Sequence, residues 1–394
     1  MSAKFFYLEP YIHVNCQKEK VLLYNTFTND FFISTNPELI KKLEEVKINR
    51  SAVLSLNQEV SDEVDILRKR FFGDYLPVNS KIPFIVPGDL VKVVRDKDFI
   101  NDPLQRAAEN SISHNLITLD IYLDQKKNEK DTLNNQCLLL HFPKENLIKD
   151  KIFNLIKTLF IYKNLSTINF YLSEINSLQY LEEVFKYIPS QISVNLHIRS
   201  FNMKNISQQL FDKLSNICLY LYPDELTILK KNNVRNNMHK FFIKVFVTNE
   251  EDLEKINITE INGVELEFFP YFNGTNLLFF KKYVFISRES LFEEKIKMHD
   301  IVRNSIVNTI DFGNLIVCAD GSVFSNLFCK PLGNLLKSDF NIILKQAFSS
   351  PHSTWFEVRK NQDNCCNCIY NALCPPMGNY EKIFGLDNLC NITK

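Results

Sequence analysis

Ten cysteines are spread unevenly over this 394-residue chain. Cys16, Cys137 and Cys218 stand alone, whereas Cys318, Cys329, Cys365, Cys366, Cys368, Cys374 and Cys390 crowd into residues 318–394. Within that tail Cys365, Cys368 and Cys374 follow a C-x2-C-x5-C spacing, and fifteen residues separate Cys374 from Cys390. A two-residue spacer folds into a turn that presents two sulfurs together, and later segments can fold back with two more. Four thiolates can then surround one centre. Zn(II) and a [4Fe-4S] cluster both accept that donor set, and spacing alone leaves the choice open. Cys318, Cys329 and Cys366 are weaker candidates for the same chemistry; a set of unrelated buried thiols is the plain alternative.

Other chemistry-bearing types are dispersed. His13, His114, His141, His197, His239, His299 and His352 show no H-x3-H or Cys-His spacing. His197 and Arg199 fall at the end of an expected strand, where ligand sites collect in βα folds, and are kept as candidates for a ligand pocket. Only nine glycines occur, and none forms G-x4-GK-[ST], G-x-G-x-x-G or G-x-S-x-G. Nucleotide cradling and serine hydrolysis therefore have little support. Lys plus Arg and Asp plus Glu both number 46, so no net field favours nucleic acid or an acidic membrane. The first residues contain no apolar export segment, which predicts a cytoplasmic protein whose thiols stay reduced.

The elements that must position these residues divide into three stretches. Residues 1–76 read as a small β+α module: short β-prone runs at 4–8, 11–16, 21–25 and 31–34, then two helices. Asn36 is the expected cap of the first helix, with Pro37 at its first position and Leu39, Ile40, Leu43 and Val46 on one face. Ser61 is expected to cap the second and Gly73 to stop it. A break follows near residues 77–87. From about 115 to 272 apolar strand candidates alternate with amphipathic helices, at 117–123, 137–142, 167–172, 192–198, 217–222, 241–247 and 264–269. Strand starts recur about every 25 residues from Thr167 onward, the period of a βα unit, which predicts an α/β parallel sheet or an open βα barrel. A doubly wound sheet is the alternative. Beyond Gly274 the pattern turns irregular: a helix over 290–308, a hairpin at 315–324 around Asp320-Gly321, a turn at Leu332-Gly333-Asn334 and a helix over 339–348.

The tail resembles a SPASM domain, the C-terminal extension of many peptide-modifying radical S-adenosylmethionine (SAM) enzymes. The resemblance rests on Cys318-Ala-Asp-Gly-Ser-Val-Phe-Ser-Asn, Leu332-Gly333-Asn334, Trp355, the C-x2-C-x5-C run, Cys374-Pro-Pro-Met-Gly-Asn-Tyr-Glu381 and Asn388-Leu389-Cys390. It implies one auxiliary [4Fe-4S] cluster on Cys365, Cys368, Cys374 and Cys390. The family's fuller pattern has a further cysteine where this chain has Gly378, and a G-x4-C element for which Gly333 leads only to Ser338. A second cluster is not expected, and Cys318, Cys329 and Cys366 would be remnants or plain thiols.

The whole chain is similar to pseudo-radical-SAM SPASM proteins of Bacteroidetes peptide-maturation (RiPP) systems, through Tyr7-Leu8-Glu9-Pro10-Tyr11 and Leu22-Leu23-Tyr24-Asn25-Thr26. That implies a radical SAM-like partial βα barrel over 77–272, between the small module of 1–76 and a SPASM domain of 273–394. Active members carry C-x3-C-x2-C after the first barrel strand; here Leu123 is followed by Asp124-Gln125-Lys126-Lys127, and Phe142 by Pro143-Lys144-Glu145. The family's G-G-E stretch is matched by Leu172-Ser173-Glu174. Bound SAM is not expected, and neither are catalytic residues. The resemblance thus implies a non-catalytic accessory that binds a precursor peptide, a catalytic maturase or both. A redox enzyme using the tail cluster or a relocated site is the second reading, and a zinc-stabilised protein-interaction module the third. The N-terminal module resembles leader-peptide recognition elements, which take a peptide as an added strand; a cap over one end of the barrel is the plainer role.

Overall fold

The computed structural model describes residues 4–49, 52–56, 60–76, 112–125, 127, 133–139, 149–172, 178–199, 207–226, 241–257 and 265–392. Two small antiparallel sheets open the chain. Strands β1 (Lys4–Leu8), β5 (Val53–Leu56) and β6 (Gly73–Tyr75) form one in the order β5-β1-β6; β2 (Ile12–Cys16), β3 (Val21–Asn25) and β4 (Asp30–Ser34) form the other. Helix α1 (Pro37–Asn49) begins as its residues dictate: the Asn36 side-chain oxygen accepts from the Glu38 amide at 3.0 Å, and Leu39, Ile40, Leu43 and Val46 are buried. Helix α2 (Ser61–Lys69) departs from expectation at both ends. Val60, not Ser61, is its N-cap, without a side-chain bond, because Ser61 already lies in the helix. The helix stops at Lys69 before Phe71 takes a left-handed φ of 62°, and Gly73 opens β6 instead. A side chain at Gly73 would strike the Tyr7 carbonyl oxygen 2.0 Å away, so the β1–β6 pairing needs glycine there.

The expected α/β architecture is present as a large, mostly parallel nine-stranded sheet. Strands β7 (Thr118–Tyr122), β8 (Thr167–Leu172), β9 (Ser193–Ile198), β10 (Asn216–Leu221), β11 (Phe241–Val247) and β12 (Glu265–Pro270) lie side by side in sequence order, all parallel. The order never reverses through these six, so there is no switch point of the doubly wound kind. Residues 137–139 were expected to begin a strand and do not; they form a turn laid over the sheet, while 140–142 lie outside the described residues. A short apolar run buries itself equally well as a strand or as a plug, and here it is a plug.

One face of the sheet carries the main core. Leu119, Ile121, Ile168, Phe170, Val194, Leu196, Ile217, Leu219, Ile243 and Val245 pack there against helices α3 (Lys149–Lys157), α4 (Leu178–Val184), α5 (Gln208–Lys213) and α6 (Glu250–Asn257). The opposite face holds a polar rung. Asn216 donates to Asn195 at 2.8 Å, Asn195 to Asn169 at 2.8 Å, and Asn169 to Asp120 at 2.7 Å, each pair on neighbouring strands. An amide can donate and accept at once, so the chain runs across four strands and ends on a carboxylate; Asn314 donates to its other oxygen at 3.1 Å. Burial raises the Asp120 pKa against the pull of these two amides.

The tail extends the same sheet. After α7 (Leu277–Tyr283), the single helix expected over 290–308 is two short ones, α8 (Arg288–Leu291) and α9 (Met298–Asn304). Strand β13 (Asn314–Val317) then pairs parallel with β7 and turns through Asp320 and Gly321, φ 82°, into β14 (Ser322–Phe324). The expected turn at Gly333-Asn334 is instead a two-residue strand, β15 (Gly333–Asn334), paired with β14. Helix α10 (Phe340–Ser349) presses Ile343 so close to Gly333 that a Cβ there would sit 2.8 Å from it. Helix α11 (Asn379–Phe384) ends at Gly385 in the left-handed conformation. Among the described residues no helix is long and apolar enough to cross a membrane.

Candidate metal centre

Cys365, Cys368 and Cys374 sit on consecutive tight turns. The Cys368 amide donates to the Cys365 carbonyl at 3.0 Å, and that of Cys374 to the Tyr370 carbonyl at 2.9 Å. Cys390 arrives from elsewhere, fixed by a parallel bridge to Ile286 in which the Ile286 amide donates to Leu389 and the Asn391 amide to Ile286. All four line one cavity of about 890 Å³. Their proximity also shows electrostatically. Burial pushes the Cys374 thiol up to about 12 against the pull of Arg359, and Cys368, Cys390 and Cys365 add to the rise.

Two donors already point at sulfur: the Asn388 amide lies 3.6 Å from the Cys365 Sγ, and the Ile392 N–H 3.3 Å from the Cys390 Sγ. N–H donors so placed are of the kind found behind metal-bound sulfur. Among the described residues no three Cys, His, Asp or Glu side chains are arranged to hold a single metal ion. A tetrahedral zinc would draw the sulfurs to about 3.8 Å from one another, given Zn–S bonds of about 2.3 Å. A four-iron core sits between thiolates that stay farther apart. Four thiols lining one cavity, with N–H donors behind two of them, are a donor set that fits a [4Fe-4S] cluster as well as a zinc ion.

The frame of the site is a residue the sequence did not single out. Arg359 is 3% exposed, and its guanidinium reaches the carbonyls of Pro375 at 2.8 Å, Pro376 at 3.3 Å and Asp387 at 3.3 Å, and Glu381 Oε1 at 2.6 Å. It ties the stretch after Cys374 to the stretch before Cys390. Glu381, itself buried, spends its other oxygen on the Gly378 amide at 3.0 Å. Five N–H donors in a planar fork suit this convergence of carbonyls, which a lysine could not satisfy.

The weaker candidates lie elsewhere. The Cys366 Sγ turns to the Asp363 carbonyl at 3.3 Å and is not among the lining residues. Cys318 is fully buried among Tyr122, Leu138, Ile316, Phe324 and Leu327, and burial pushes its thiol up to about 12. Burial also raises Cys329, whose charged neighbours are Lys382, Glu357, Asp311 and Lys127. Asp311 accepts from Asn326 at 3.1 Å and from Asn308 at 3.4 Å; burial pushes its carboxyl up to about 6.

No family model matches this chain, and no curated protein does. Among solved structures it is similar to Streptococcus suis SuiB in a crystal structure bound to precursor peptide SuiA, with 12% identity, 98% of each chain covered and a TM-score of 0.43. So loose a likeness assigns no site.

The sheet face opposite the main core carries a row of aromatic rings. Tyr122, Tyr171 and His197 stack successively on neighbouring strands, with ring centroids 4.3 and 4.2 Å apart, and His197 Nδ1 lies 3.1 Å from the Tyr220 hydroxyl. Burial, then Lys244, depresses the His197 pKa to about 3, so the ring is neutral. Arg199 is equally occupied: it pairs with Glu225 at 2.8 Å and lies 4.8 Å over the Tyr222 ring. His197 is buried, and Arg199 is half-buried with its guanidinium engaged by Glu225. The plug lies on the same face, with Cys137 and Leu139 packed by Cys218, Tyr220 and Phe246, and Gln136 pinned to Phe272 by two hydrogen bonds. Directly after β7, Asp124 and Gln125 are buried and the Gln125 carbonyl accepts from Ala319 at 3.0 Å. Ser173, Glu174 and residues 143–145 lie outside the described residues.

Proposed function

We propose that this protein is a non-catalytic accessory of peptide maturation that holds one [4Fe-4S] cluster on Cys365, Cys368, Cys374 and Cys390. The observation that carries the reading is the convergence of those four thiols, drawn from two distant segments, on one cavity framed by Arg359. When bound, such a cluster supplies electron transfer or structural support. The chain's own residues hold it: Arg359 fixes the two segments, and Asn388 and the Ile392 amide stabilise charge on the sulfurs. The silent barrel has a separate basis. Among the described residues, the sheet face opposite the main core carries the Tyr122–Tyr171–His197 stack and the 137–139 plug, which supports a reading without SAM. The peptide or maturase partner follows from the resemblance of the tail and the opening residues to peptide-maturation proteins. β5 and β6, outermost in their sheet, are where an extended peptide would add.

The test is iron, sulfide and zinc content of protein purified without oxygen, beside Cys368→Ala. About four irons and four sulfides per chain, lost in the variant, are expected. About one zinc without iron would replace this reading by an interaction module, and about eight irons would return Cys318, Cys329 and Cys366 to a redox role.

A further inference from the structure

The proposed site is not confined to the tail. Strand β3 is buried on both faces: Val21 and Leu23 face the N-terminal core, whereas Leu22 and Tyr24 pack with Ile369, Tyr370, Ala372, Leu373 and Cys374. Beside it, Asn15 of β2 is 8% exposed and donates from Nδ2 to the Ile369 carbonyl at 2.8 Å and to Asn371 Oδ1 at 3.0 Å. Asn371 in turn donates to the Cys366 carbonyl at 3.3 Å, which also accepts from Gln17 at 3.4 Å. Residues 369–373 are the spacer between Cys368 and Cys374, and residues 17–20, the tip of the β2–β3 hairpin, line the cysteine cavity.

We infer that Asn15 is a positioning residue of the metal centre, and that the N-terminal hairpin is one of its walls rather than a detachable peptide reader. The inference rests on the cluster reading above. A five-residue spacer has many conformations, and only those that aim Cys368 and Cys374 at a common centre bind well. Asn15 selects among them from 354 positions away, through the one amide hydrogen that each of its two acceptors requires. Partners of this kind, behind the ligands, are worth about 10- to 100-fold in metal affinity. By linkage, a bound cluster must stabilise the hairpin as much as the hairpin stabilises the cluster.

Asn15→Leu keeps the branched four-atom skeleton of the side chain and removes both donors. Phe31→Ala loosens the same interface without removing a hydrogen bond to the ligand loop, since Phe31 stacks on Phe292 at 4.3 Å. With a strong iron chelator, Asn15→Leu is expected to lose iron about tenfold faster than wild type and to change the electron paramagnetic resonance spectrum of the reduced cluster. Phe31→Ala should change release less than about twofold and leave the spectrum alone. Wild-type release and spectrum in Asn15→Leu, or equal acceleration in both variants, would overturn the inference while leaving the cluster in place. A wild-type chain that takes up no iron would overturn the cluster reading itself. Should Asn15→Leu not fold, amide exchange on the wild type decides: residues 14–17 should exchange more slowly with the cluster than without it, and identical exchange sinks the idea.

Discussion

The cysteine cavity and the sheet face opposite the main core both hold thiols, yet only the cavity gathers four of them around open space. Around the cavity Cys374 feels three other thiols, and N–H donors point at two of the four sulfurs. On the sheet Cys137 has one thiol neighbour, Cys218, and both are packed by aromatic rings; burial pushes each up to about 12. Cys374 is as buried as the two sheet thiols, while Cys368 and Cys390 at the cavity are half-buried. What differs is whether the surrounding atoms leave room and supply partners for a thiolate, and that is a property of the packing rather than of cysteine.

The contrast can be broken most violently at Arg359. Arg359→Met strands buried Glu381 and three carbonyls, and should cost about 3–5 kcal/mol in denaturant unfolding of the metal-free protein. A loss below about 1 kcal/mol would mean that the metal, not this frame, organises the tail. Asp311 gives the next effect. Its folded pKa of about 6 lies above the unfolded 3.8, so the folded protein binds the proton more tightly. The contribution to stability is therefore full below about pH 4, falls as pH rises from 4 to 6, and is level above that. The span is about 3 kcal/mol, and Asp311→Asn should flatten it in unfolding measured across that window. Smallest is Cys318→Ala, which should cost about 1 kcal/mol and leave iron content untouched. Lost iron in that variant would erase the distinction between the two regions.

What could be read from the residues was local. Strands β1 to β4 and helix α1 announce themselves because alternation, the Asn36 cap and Pro37 act within a few positions. The parallel sheet was legible from its strand spacing. Strands β5 and β6 were not, since four and three residues carry no periodicity and become strands only by pairing with β1. The polar rung left a trace that went unread: Asp120, Asn169, Asn195 and Asn216 each place a short polar side chain early in an apolar strand. The four cysteines drew notice by spacing, whereas Arg359 and Asn15 act across sequence distances that no spacing rule covers. The 137–139 plug misled for the opposite reason, its apolar run satisfying a strand pattern while its burial came from the far side of the sheet.

The pairing of β7 with β13 also dates the molecule's assembly. A ribosome adding about 5–20 residues per second needs roughly 10–40 s to pass from Thr118 to Asn314, and until then one edge of β7 has no neighbour. The first strand of the sheet is thus among the last to be enclosed. A nascent chain in that interval exposes an unpaired strand edge of the kind that recruits other strands.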